Sequence, residues 1–141
     1  MCKEEVKLTR SEMREQAFML LFSKSFDDQP LEETIEDNAE MFRGGVCPYA
    51  QAVVSGIEDK QEEIDAVISS KLKKGWSIRR LSKPSLAILR LAVYEINYLE
   101  NIPDGVAVNE AVELAKKYTI DESGFINGIL GSVVREKEGK K

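Results

Sequence analysis

The chain has 141 residues, no histidine, two cysteines far apart (Cys2 and Cys47) and a formal charge of −5. Without histidine it lacks the commonest general base and metal ligand, and two scattered cysteines make neither a zinc site nor a disulfide framework, so no catalytic residue, metal or cofactor is expected. No apolar run reaches the roughly 20 residues of a membrane span, and residues 1–9 lack the apolar core of an export signal, so one cytoplasmic domain over residues 1–141 is expected.

Thr9 followed by Glu12 is a capping-box pattern that starts a first helix, with Met13, Ala17, Leu20 and Leu21 on its buried face and Phe18 and Phe22 widening it. Asp27 and Asp28 end it. Pro30 suits the first turn of a second helix, whose stripe is Leu31, Ile35, Ala39 and Phe42, and Gly44-Gly45 stops it. Pro48 opens a third helix, and Asp59 is expected to cap a fourth that carries Ile64, Val67, Ile68 and Leu72. Gly75 ends that one, and residues 77–81 read as a short helical turn.

Ser82, with Pro84 in the first turn, caps the next helix. Its residues 86–96 are apolar almost all round, which places it at the centre of the fold. Residues 102–105 form a turn, Val108, Val112, Leu114 and Ala115 mark another amphipathic helix, and Asp121 is expected to cap the last, through Phe125, Ile126, Ile129, Leu130 and Val133. No period-two segment of useful length occurs. The fold class expected is all-α, a compact bundle of about seven helices.

Charge is segregated. Residues 27–68 hold twelve acidic and two basic residues (net −10), whereas residues 69–95 hold seven basic and one acidic (net +6). Such asymmetry fits two partners of different character or simply solvated faces. Arg10 and Arg14, four apart, share a face of the first helix and prolong its buried stripe toward the N-terminus; they can contact phosphate or pair with nearby glutamates. Phe22, at the edge of the apolar arc, is either a stacking residue for single-stranded RNA or part of the core. Trp76 lies in a basic stretch and either binds nucleic acid or packs under a loop, the commoner arrangement. The paired carboxylates lie on polar faces, and no serine has a histidine partner.

Three blocks carry a resemblance to a known family. They are the run Leu-Ala-Ile-Leu-Arg-Leu-Ala-Val-Tyr-Glu-Ile at residues 86–96 with Ile102-Pro103, the run Val-Ala-Val-Asn-Glu-Ala-Val-Glu-Leu-Ala-Lys at residues 106–116, and Ser123 with Phe-Ile-Asn-Gly-Ile-Leu at residues 125–130. Thr9-Arg10 with Arg14-Glu15 and Ala17, and Gly75-Trp76 with Arg80-Leu81, extend it over nearly the whole chain. In order and spacing these resemble the NusB family of transcription antitermination factors. The resemblance implies two three-helix halves packed together, binding to the boxA element of ribosomal RNA leaders, and a joint complex with NusE, the ribosomal small-subunit protein S-ten, that modifies the elongating RNA polymerase. Carried over by position, it implies RNA contacts at Arg10, Arg14, Phe22, Arg90, Ser123 and Phe125, and Lys7, which precedes the two arginines, is expected to join them. The front of the first helix and the Phe125 region are expected to share one solvent-facing patch. The acidic net charge and the diluting Ser11-Glu12-Met13 predict weak RNA binding by the chain alone, the partner protein supplying much of the affinity. The alternative is a NusB-like protein-interaction module with weak or lost RNA binding, and the surfaces used for RNA or NusE offer a route to a homodimer of the free chain.

Overall fold

A computed structural model describes residues 8–139 apart from 27 and 43. Among them the chain is all-helical: α1 (Arg10–Lys24), α2 (Leu31–Asn38), α3 (Pro48–Asp59), α4 (Gln61–Ser70), α5 (Lys83–Tyr98), α6 (Asp104–Tyr118) and α7 (Ser123–Gly139), with short 3-10 turns at Ala39–Met41 and Ile78–Arg80. No helix among the described residues is long and apolar enough to cross a membrane.

The caps form where local chemistry places them. Thr9 Oγ1 accepts from the Glu12 amide at 3.1 Å, and the Thr9 amide donates to Glu12 Oε1 at 2.9 Å, completing the capping box of α1. Ser82 Oγ accepts from the Ser85 amide at 3.3 Å and starts α5, with Pro84 in its first turn. Two expected caps are corrected. Asp59 is the last residue of α3, and α4 starts after Lys60 without a side-chain cap. Asp121 takes a left-handed φ of +58° in the α6–α7 link, and α7 begins at Ser123. The second helix is also shorter than its stripe suggests, because the backbone tightens into a 3-10 turn from Ala39.

Helices α1, α2 and α3 pack together, as do α5, α6 and α7, and α4 lies against α5. The central helix is α5, whose buried side chains include Ile88, Leu89, Leu91, Val93 and Ile96. They meet Phe18 and Leu20 of α1, Val54 and Ile57 of α3, Ile64 and Ile68 of α4, and Ile126 and Leu130 of α7 in one apolar core.

Side-chain contacts fix the directions of the helices. Lys83, at the start of α5, donates to the Ser25 carbonyl just past the end of α1, while Arg14 near the start of α1 meets Glu95 near the end of α5. The two helices are therefore antiparallel. Ser82 donates to Glu122 ahead of α7, and Lys137 near the end of α7 donates to the Ile96 carbonyl. Hence α7 runs parallel to α5.

Candidate RNA interface

At the start of α1 the capping box fixes the first turn and leaves Arg10 exposed. Arg10 has no ion pair among the described residues. A cation in the first turn faces the positive end of the helix dipole, so helix stability does not explain it. Arg10 borders a cavity of about 210 Å³ with Met13, Tyr49, Asn101 and Ile102.

Arg14, expected beside it as a second phosphate contact, lines the same cavity but is turned to internal partners. Arg14 is only 4% exposed. Its Nε lies 2.9 Å from Glu95 Oε2 and its Nη1 3.5 Å from Glu110 Oε1. Tyr49 Oη donates to the same Glu95 oxygen at 2.5 Å, and Ser11 Oγ donates to Glu110. Burial raises the Glu95 carboxyl above its ordinary pKa, against the opposing pull of Tyr49 and Arg14, and burial with the Glu95 contact raises the Tyr49 hydroxyl. The guanidinium is committed to this network, which joins α1 to α3, α5 and α6. Arg14 thus positions the turn that carries Arg10.

Arg90, also expected at RNA, is held in an ion pair within the fold. Its Nε and Nη2 each lie 2.8 Å from an oxygen of Asp65 in a two-point pair between α5 and α4. That fork is occupied.

Phe22 is half-buried. It stacks on the buried Phe18 at 5.8 Å and meets Phe26 edge-on at 5.0 Å. The exposed ring of this series is Phe26, at 62%, with Lys83 Nζ 5.1 Å above it. The spacing 18, 22, 26 was the sequence signal for Phe26, hidden because the residue lies just past the helix.

Ser123 opens α7 and lines an open groove of about 590 Å³ between α6 and α7 with Asn109, Val112 and Asn127. Phe125, two residues on in the same first turn, is 40% exposed and pairs with Trp76 at 6.5 Å. Lys7 lies outside the described residues.

The single shared patch is corrected to two stations. Phe22, Phe26, Lys83, Ser123 and Phe125 cluster around the start of α5, linked by the Ser82–Glu122 contact. Arg10 sits beyond the other end of α5, beside Asn101 and Ile102. Sixteen helical residues span about 24 Å, so a ligand touching both stations must be extended. Among the described residues no group of three or more Cys, Asp or Glu side chains is placed to hold a metal ion. The interface offers cations, aromatic faces and amides, a repertoire for binding.

The comparisons agree with this architecture. The model of the NusB family matches residues 11–135. A transcription antitermination protein NusB of Acetivibrio thermocellus is 47% identical over 131 residues, covering 91% of this chain and 90% of the relative. The solved NusB of T. maritima superposes with a TM-score of 0.81 at 36% identity, covering 93% of this chain and 94% of that one. A chain from the crystal structure of antitermination factors NusB and NusE in complex with dsRNA gives 0.78 at 28% identity, covering 90% and 96%. With a family match over most of its length and relatives this similar, the chain belongs to the NusB family.

Proposed function

We propose that this protein is a transcription antitermination factor. It binds the boxA element of nascent ribosomal RNA leaders together with NusE, the ribosomal small-subunit protein S-ten, and that assembly modifies RNA polymerase elongation. It acts in the cytoplasm as one domain, by binding and without catalysis. The observation that carries the reading is the likeness, over nine-tenths of the chain, to a NusB solved with NusE and RNA. The exposed Arg10 and the aromatic-basic station around Phe125 supply contacts of the kind RNA requires: guanidinium for phosphate, rings for unstacked bases. With Arg14 and Arg90 held in internal pairs, two of the cations expected at phosphate are engaged inside the fold, which fits weak binding by the chain alone and a large contribution from the partner.

Arg10→Glu separates binding from stability. The acid suits the first turn of α1, so thermal stability holds or rises slightly. Affinity for boxA RNA falls by about 1–3 kcal/mol, and the salt dependence of binding becomes shallower. The measurement is a polarisation titration at two stated salt concentrations, with and without NusE. Unchanged affinity and salt slope in both series would favour the protein-interaction module. Light scattering of the free chain reports whether it also pairs with itself.

A further inference from the structure

Trp76 breaks the usual habit of tryptophan. The Trp76 amide donates to the Lys73 carbonyl at 2.9 Å, and Gly75 within that turn has a φ of +89°, a conformation glycine adopts without strain. The turn lifts the indole out of the fold and leaves it 49% exposed, where burial under the loop was the commoner expectation. Arg80, held by the following 3-10 turn, places its guanidinium carbon 5.6 Å from the ring. Phe125 reaches it from α7 with a 41° tilt between the planes. Beside Trp76 and Phe125 opens a cleft of about 360 Å³, lined also by Leu72 and Ile129 and rimmed by Lys71 and Lys73. On the α7 side, Gly124 and Gly128 have no side chains, and a Cβ built at either would meet nothing within 4 Å.

We propose that this cleft is a base-stacking subsite for single-stranded RNA, with Trp76 as its principal platform and Phe125 as its second wall. The inference rests on the RNA-binding reading and extends it to a residue outside the contacts named above. Three features select the ligand. Two exposed rings offer π-faces that any unstacked base can cover. The cations beside them suit phosphate: Arg80 already lies against the indole, and Lys73 has no ion pair among the described residues. No acidic residue lines the cleft, and Glu136 nearby is engaged by Lys71 at 2.6 Å. A peptide would need acceptors for its backbone amides, and no side chain of this lining supplies one.

Trp76 is the sole tryptophan of the chain, so indole emission reports on this cleft alone. The full-length protein is titrated at low salt with single-stranded boxA RNA while emission is followed, in parallel with polarisation of the same RNA carrying an end label. Quenching that saturates together with polarisation is expected. Trp76→Ala weakens binding roughly five- to 150-fold, the range set by loss of one stacked base, while Trp76→Phe retains most of the affinity. Circular dichroism checks that both variants fold; the wild-type quenching stands without them. Saturating polarisation with unchanged emission and wild-type affinity in Trp76→Ala overturns the cleft and leaves RNA binding intact. Absence of any polarisation change, both alone and with NusE added, overturns both.

Discussion

A carboxylate inside an apolar helix needs a partner, and Glu95 finds two in Arg14 and Tyr49. Removing it by Glu95→Ala leaves Arg14 a buried cation without its main partner, so unfolding free energy should fall by about 3–5 kcal/mol. Replacing both charges, as in Arg14→Met with Glu95→Leu, should recover much of that loss, since paired buried charges recover little more than their desolvation cost. Urea denaturation of the three proteins measures both effects, and a Glu95→Ala variant within 0.5 kcal/mol of wild type would contradict the account. The sequence carried one hint of this network: Glu95 was the lone acid in the long apolar run at residues 86–96. The partners were not legible. Helical spacing placed Arg10 and Arg14 on one face, and only tertiary packing reveals that Glu110 of α6 reaches Arg14 but not Arg10. Asp65 and Arg90 are likewise 25 residues apart, beyond the reach of any local pattern.

Between elements, Gly56 of α3 is the described glycine most closely met by a side chain, Tyr94 of α5. A Cβ there would lie 2.1 Å from the Tyr94 hydroxyl and 2.5 Å from its ring carbon Cζ, so the ring must move to admit even alanine. Tyr94 is half-buried and stacks on Tyr98 at 5.4 Å, which limits its freedom. Alanine gains up to about 1 kcal/mol in helix propensity over glycine, while overpacking costs about 1–3. Gly56→Ala should therefore destabilise by about 1–2 kcal/mol in the wild type. In a Tyr94→Ala background the same change should be neutral or stabilising, and a double-mutant cycle by chemical denaturation tests the pair. Helix starts at Thr9, Pro48 and Ser82 were legible because capping and proline chemistry act within four residues. Asp59 and Asp121 misled for the same reason: each is a good capping residue, but helix packing extends α3 through one and the link geometry turns the other left-handed.

For the molecule as a whole, the bundle class and the central place of α5 were readable from periodicity, because a helix apolar all round has to be enclosed. The split of the candidate interface into two stations was not, since the antiparallel crossing of α1 and α5 is a property of topology. That topology gives α7 a particular task. Glu122 ahead of it binds Ser82 and Ser85 at the start of α5, and Lys137 near its end reaches the Ile96 carbonyl and Asp104. The two contacts lie farther apart than the ~10 Å within which substitutions couple. Glu122→Ala and Lys137→Ala should each cost about 1 kcal/mol, and their combination the sum within about 0.5, as read from denaturation midpoints. A deficit or excess beyond that would mean α5 responds as one cooperative rod. Chain order adds a consequence for biosynthesis. The groups that secure both ends of the middle helix belong to a later stretch of polypeptide, so they reach it only after the rest has left the ribosome. A product cut short before residue 122 would lose both at once and present its unfastened interior to proteases.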